Sequence, residues 1–396
     1  MGIGEDGWEG LSPEARDAVN SAEVLYGGSR HLALVPALHA TRHCWPSPMA
    51  PAIQQILTAH RAQNRVAVLA SGDPMLYGVG VVLTRHLDSS EFRVIPQISA
   101  LSLACARLGW AIAEVTLVSL VHRAIEQLHR HVSPGQQLIL YSEDGTTPAI
   151  VARLLTECGF GSSTMRVFEN LGGSAERRVD AFAASWGTIQ CSDLNVIAVV
   201  CLADAGTTTL STAPGLPDSA FETDGQLTKR EVRAATLARL APLPRQRLWD
   251  VGAGSGSIAI EWMRTHTSCS AIAFEERPAR ADRIRENARR LGVSGLQVME
   301  GAAPSTFGDL KAPDAIFIGG GLGHEAMFSA CWASLRSGGR LVANAVTIAT
   351  ESILFSLHKV YGGELVRISI ERAEPIGSTL GWRPLMPVTQ WSVVKP

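Results

Sequence analysis

The chain has 396 residues, with 35 Lys and Arg set against 37 Asp and Glu for a formal net charge of -2. Its 46% hydrophobic and 18% charged residues can build roughly two to three packed domains, and the charge balance excludes a global field for nucleic acid. No apolar run approaches the ~20 residues of a membrane span, and the N-terminus lacks the charged-then-apolar order of a signal peptide. The seven cysteines, Cys44, Cys105, Cys158, Cys191, Cys201, Cys269 and Cys331, form no Cys-x-x-Cys pair, so buried thiols in a reducing cytoplasm are expected.

Residues 1–204 carry short apolar runs at Val66–Ala70, Phe92–Ile95, Gln137–Tyr141 and Leu194–Cys201, separated by helical patterns. Such runs predict strands buried on both faces of an α/β unit. The turns after three of them are Leu69 to Pro74, Ile95 to Ala100 and Tyr141 to Pro148. Taken singly, each is satisfied by Gly, Pro and Asp simply making a turn. From Ala205 to Pro217 periodicity is lost among small residues and prolines, which predicts the interdomain linker.

Residues 218–396 form the second predicted domain. Thr228 and Glu231 read as a capping box at the start of a helix. Strands are predicted at Leu248–Val251, Ala271–Glu275, Leu296–Met299, Ala315–Ile318, Arg340–Ala345, Glu364–Ile370 and Gln390–Val394. Helices intervene up to the sixth; a short Pro-rich connection precedes the last, so the final pair is expected to be an antiparallel hairpin. This alternation matches the class I methyltransferase fold.

The first of these strands runs through Asp250 into Gly252-Ala253-Gly254-Ser255-Gly256 and an amphipathic helix. Glycines there let a ligand lie against the main chain at a helix N-terminus. Glu275 ends the next strand, where a carboxylate accepts ribose hydroxyls. A pyrophosphate-binding Gly-x-Gly-x-x-Gly would place the third glycine one position later, so S-adenosylmethionine (SAM) is favoured over NAD or FAD. Gly301-Ala302-Ala303-Pro304 follows the third strand, either as the adenine contact or as a plain βα turn. After the fourth strand stands Gly319-Gly320-Gly321 in place of the Asp/Asn-Pro-Pro-aromatic of amine methylases, and no Pro-Cys nucleophile occurs. A carbon acceptor activated by its own conjugation fits these absences.

Gly2-Ile3-Gly4-Glu5-Asp6-Gly7, Ser71-Gly72-Asp73-Pro74, Ile95-Pro96 with Ser99, and Ser142-Glu143-Asp144-Gly145 resemble the tetrapyrrole methylase family. The resemblance implies two small α/β subdomains meeting near residues 105–115. They would clasp SAM through main-chain groups around Gly72, Asp73, Pro74, Ser99 and Ala100, with the corrinoid in an adjoining trough. That family has a full apolar strand before its first glycine turn, where here only Met1 stands. The expectation is a misassigned start, or a missing central strand that exposes core and cripples the domain. Ser119-Leu120-Val121-His122-Arg123 also departs from the family, which more often has glycine before the Arg.

Asp218, Phe221, Asp224-Gly225-Gln226, Thr228-Lys229-Arg230-Glu231, Ile260-Glu261-Trp262 and Glu300-Gly301 resemble the small corrinoid methyltransferase that also decarboxylates. Both halves in this order are similar to the fused precorrin-6B C(5,15)-methyltransferase (decarboxylating) family of cobalamin synthesis. The resemblance implies an N-terminal tetrapyrrole-methylase fold (1–204) acting at carbon 5, a linker (205–217) and a C-terminal class I Rossmann-like methyltransferase fold (218–396). The C-terminal domain would act at carbon 15 and remove the ring-C acetate carboxylate of a metal-free substrate, giving precorrin-8X. The conjugated macrocycle would be the electron sink, so no metal is demanded.

The expected cofactor contacts in the second domain are Thr228, Asp250, Gly252, Ala253, Gly254, Ser255, Gly256, Glu275, Ala302 and Ala303. Arg230, Arg233, Arg372 and Arg383 are candidates to pair with substrate carboxylates, each equally readable as a solvated surface charge. The acid or base is left open among Lys229, Glu231, His324 and Asn344. A homo-oligomer with neither nucleic-acid nor membrane partners is expected. The alternatives are a class I methyltransferase of RNA or another small molecule with a non-catalytic SAM- or corrinoid-binding N-terminal module, or an oxidoreductase if NAD binds and SAM does not.

Overall fold

The computed structural model describes residues 1–46 and 49–396. The chain forms two compact units, one of residues 1–125 and 131–207, the other of 126–130 and 208–396. Among the described residues no helix is long and apolar enough to cross a membrane.

The first unit holds β1 (Gly2–Ile3), β2 (Val24–Gly27), β3 (Thr41–Cys44), β4 (Val66–Val68) and β5 (Ala70–Ser71). Strands β3-β2-β4 form one parallel ladder and β1-β5 another. The helix Ala100–Leu108 then ends on Gly109, whose φ of 68° stops it, and a second sheet begins. That sheet contains β6 (Thr116–Ser119), β7 (Gln137–Tyr141), β8 (Thr164–Glu169), β9 (Arg177–Phe182) and β10 (Asn195–Val200), in the order β6-β7-β10-β8-β9. Its inner strand β10, Asn-Val-Ile-Ala-Val-Val, is buried over five of six residues, as a continuous apolar run requires.

One expectation is corrected here. Phe92–Ile95 forms no strand: Ile95 accepts one hydrogen bond from Gly2 N, and the segment and β4 both line a cavity of about 410 Å3 instead of pairing. Ile3 on the two-residue β1 is buried with Leu25 and Leu69, but Met1 lines the same cavity and β4 is only partly buried, so the core beside the short first strand stays partly open, as expected. The Met1 ammonium enters this region and donates to Val68 O at 2.7 Å; desolvation lowers its pKa to about 6. Cysteine burial also holds only in part, since Cys44 is exposed on the outermost strand β3.

The second unit is built on β11 (Arg247–Val251), β12 (Ser270–Glu275), β13 (Gln297–Glu300), β14 (Ala315–Ile318), β15 (Arg340–Ala345), β16 (Glu364–Ile368), β17 (Glu371–Ile376), β18 (Thr379–Pro384) and β19 (Val388–Val394). Its seven-stranded sheet has the order β13-β12-β11-β14-β15-β19-β16, with only β19 antiparallel to its neighbours. Alternate residues feed two cores. Leu248 packs with Leu237, Ile258 and Ile284, whereas Trp249 packs with Phe274, Phe307 and Phe328. The order reverses between β11 and β14, and the crevice beyond their carboxyl ends is where such sheets bind ligands.

The connection from β16 to β19 is not a short link but carries the hairpin β17-β18. Pro375 and Pro384 read as breakers, yet in an antiparallel two-stranded ribbon alternate residues point their N–H outward, where a missing one costs no ladder bond. The capping box is also absent: Lys229 occupies the N-cap position without a side-chain cap, and Glu231 instead accepts from Arg372 at 2.7 Å. The end of the predicted linker belongs to the second unit, where Leu216 is buried and Gly215 N and Leu216 N donate to Glu261.

Glu261 is one member of a buried charge cluster. Arg233 is fully buried; its Nε donates to Glu261 at 2.5 Å, its other nitrogens reach Asp218, Thr228 O and Leu216 O, and Phe221 lies 4.7 Å from the guanidinium. Removing one partner of a buried pair leaves the other charge without compensation. Arg233→Met should therefore lower the stability of the second unit by on the order of 3–5 kcal/mol in urea denaturation. A loss below about 1 kcal/mol would show that Glu261 is solvated.

Candidate active sites

The carboxyl ends of β11, β12, β14 and β15 open onto a cavity of about 710 Å3. Its floor is main chain. Gly252, Gly254 and Gly256 have φ of 70°, 60° and 76°, and a Cβ on Gly252 would stand 2.9 Å from the Gly320 backbone. Substitution there meets both strain and collision. Gly252 N and Ala253 N donate to Phe274 O, and Gly254 N donates to Glu275 Oε2 at 2.8 Å. Glu275 Oε1 accepts from Arg277 N at 3.0 Å, so both carboxylate oxygens are oriented and each keeps acceptor capacity.

Thr228, Lys229, Gly252, Ala253, Gly254 and Ser255 line this cavity, as do Glu275, Ala302, Ala303, His324 and Asn344. Two expected cofactor contacts do not. Asp250 is buried beneath the turn, where its Oδ2 accepts from Ala259 N at 3.0 Å and anchors the helix Ser257–Thr265. Gly256 packs under Ile284.

The expected substrate arginines lie elsewhere. Arg233 is buried in its charge cluster, Arg372 bridges Asp218 and Glu231, and Arg383 pairs with Glu374 on the hairpin. Arg230 is exposed and lines no part of the cavity. The cations at the cavity are Lys229, Arg277 and Arg280. Arg280 holds Asp224 at 2.8 Å, lowering that carboxyl to about 2. Only the position of Arg277, two residues beyond the acidic strand end, could have marked it in the sequence. The apolar part of the lining includes Val346, Ile370, Leu385, Met386 and Val388.

In the first unit three turns interlock through their backbones. Gly72 N donates to Ile3 O, and Gln97 N to Gly72 O. A Cβ on Gly72, whose φ is 54°, would lie 3.1 Å from Ile98 O. Ser99 is the N-cap of the helix Ala100–Leu108, accepting from Ser102 N, and Asp73 accepts from Met75 N. Gly72 and Ala100 line a cleft cavity of about 70 Å3 with Arg30, Leu171 and Asn195; Asp73, Pro74 and Ser99 do not. Its volume is a fraction of what an adenosyl ligand fills.

Beside these turns, Tyr77 meets Tyr141 edge-on at 6.1 Å, and Arg123 stands over Tyr77 at 5.2 Å. His122 Nδ1 lies 2.8 Å from Glu143. Tyr77 and His122 both hold positive φ, 57° and 52°, a strain that single-sequence reading does not expose.

The strand order and the glycine turn at its reversal define a class I methyltransferase in the second unit. Residues 1–185 match the family model of tetrapyrrole (corrin/porphyrin) methylases, and residues 219–395 match that of the precorrin methyltransferase domain. The Sinorhizobium precorrin-6Y C(5,15)-methyltransferase [decarboxylating] is 48% identical over 396 residues, covering 100% of this chain and 95% of its own. Two shorter relatives are each 34% identical. One, the cobalt-precorrin-7 C(5)-methyltransferase of Salmonella typhimurium, covers 45% of this chain and 86% of its own. The other, the cobalt-precorrin-6B C(15)-methyltransferase (decarboxylating) of Salmonella typhi, covers 41% and 85%. The chain belongs to the precorrin-6Y C(5,15)-methyltransferase (decarboxylating) family and is a methyltransferase.

Desolvation raises Asp250 from 3.8 to about 7, with a smaller push from Glu275. A carboxyl held higher in the folded than in the unfolded chain stabilises at low pH, and that contribution is lost as pH climbs through this window. Asp250→Asn retains an acceptor for Ala259 N and cannot titrate. In urea denaturation its stability relative to the parent should rise between pH 4 and about 7, with a ceiling on the order of 4 kcal/mol, and level off above. Parallel curves for the two proteins would show a solvated carboxylate.

Proposed function

We propose that this chain uses SAM to methylate precorrin-6Y at carbons 5 and 15 and to release the ring-C acetate carboxylate as carbon dioxide, within cobalamin biosynthesis. The observation that carries this reading is a glycine-built main-chain cradle in each of two units whose family models are both methylases. The second unit acts at carbon 15 and decarboxylates, and the first acts at carbon 5. Separate half-length relatives named for each carbon support this division.

SAM, when bound, supplies an electrophilic methyl group. Glu275 holds the ribose with the carboxylate that Gly254 N and Arg277 N orient. Ala302 and Ala303 leave room for the adenine. The apolar wall formed by Val346, Leu385, Met386 and Val388 covers the acceptor and excludes water, while Lys229, Arg277 and Arg280 meet peripheral carboxylates. On decarboxylation the electron pair of the breaking carbon–carbon bond enters the conjugated macrocycle, and His324, which lines the cavity, carries the proton to the remaining side-chain carbon. Exposed Ile376, Leu380 and Trp382 on β17-β18 support a homo-oligomer.

The test is to incubate the chain with precorrin-6Y and isotope-labelled SAM and weigh the product. Two labelled methyls with loss of carbon dioxide are expected. Gly252→Ala should abolish carbon dioxide release, whereas Gly72→Ala should release it but leave carbon 5 unmethylated. A Gly72→Ala product carrying both methyls would overturn the division of labour.

A further inference from the structure

One amide, Asn344, lines the second unit's cavity, as do the apolar Val346, Leu385, Met386 and Val388. Behind it lie Thr236 and Gln390, both buried. The Thr236 hydroxyl donates its one proton to Val232 O at 2.8 Å, so its oxygen can only accept. It accepts from Gln390 Nε2 at 3.0 Å and from Asn344 Nδ2 at 3.0 Å. Gln390 Nε2 gives its second hydrogen to Asn344 Oδ1 at 2.9 Å. The two residues are direct cross-strand partners on β15 and β19, which brings their side chains to one face.

This pattern permits one orientation. Turning the Asn344 amide over would set its nitrogen against the Gln390 nitrogen, and its oxygen against a hydroxyl with no proton to give. Held as it is, Asn344 retains one N–H, for which the described residues offer no acceptor. A donor locked in this way defines a direction and carries no charge.

We infer that this N–H orients a peripheral carboxylate oxygen of the macrocycle in the second unit's site, with Thr236 and Gln390 as positioning residues. The inference rests on the reading above that this cavity takes the tetrapyrrole. The cations Lys229, Arg277 and Arg280 attract any carboxylate; a fixed neutral donor in the same lining selects which side chain is seated there.

The test uses the full chain with precorrin-6Y, reading carbon dioxide release, and S-adenosylhomocysteine binding by calorimetry. Asn344→Ala should lower kcat/KM for carbon dioxide release by roughly 10- to 100-fold, the worth of a hydrogen bond to a charged group, and leave S-adenosylhomocysteine affinity unchanged. Thr236→Val, which removes the acceptor that locks the amide, should give a smaller loss in the same constant, and Thr236→Ser should restore it. Unchanged kcat/KM in Asn344→Ala overturns the inference alone. Lost S-adenosylhomocysteine binding also overturns it, by placing Asn344 on the cofactor side. A parent chain that releases no carbon dioxide overturns the functional reading and the inference together.

Discussion

Main chain must touch main chain at the carboxyl edge of the second sheet. A Cβ on Gly252 would stand 2.9 Å from the Gly320 backbone, so the turn after β11 can lie against the turn after β14 only while Gly252 lacks a side chain. In the same turn Gly254 N donates to Glu275. The first unit obeys the same constraint with other residues: a Cβ on Gly2 would fall 1.9 Å from Gly72 O. Two unrelated sheets thus bring backbone against backbone at their glycine turns, which suits a reaction needing placement more than acid–base chemistry.

Charge in this protein divides by depth. Arg233 and Glu261, on neighbouring helices, are buried together and tie in Leu216, so ion pairing there joins chain segments. Asp250 is buried without a cation and is driven toward neutrality, leaving it an anchor for a helix turn. At the cavity rim, Arg277 is exposed and free to meet a carboxylate-rich ligand. A buried charge must be satisfied by protein and has little left for a substrate.

Much of the second unit was legible because its signals are local. Strand, glycine turn, helix and Glu275 lie within one continuous stretch, and period and spacing report them directly. The seven strands of the sheet followed from alternation; their order did not. What the sequence concealed depends on partners far along the chain. Arg233 looks like any surface helix residue until Glu261 and Asp218 close around it, and the capping box failed because Arg372, 141 positions away, draws off Glu231. Phe92–Ile95 has the composition of a strand but no ladder neighbour, and β17-β18 has a ladder despite its prolines. Propensity states what a segment can do; pairing decides what it does.

The two kinds of lining in the second cavity resolve a conflict in the chemistry. A substrate carrying many carboxylates needs cations to bind, yet a carboxylate that must leave as carbon dioxide is held back by a cation that stabilises its charge. Lys229, Arg277 and Arg280 line the same cavity as Val346, Leu385, Met386 and Val388, so both kinds of surroundings are available to one substrate. Carboxylates near the rim gain ion pairs, while one seated against the apolar wall loses water without gaining a counter-charge. The charge on that group then finds its stabilisation in the conjugated ring, in the direction of the reaction.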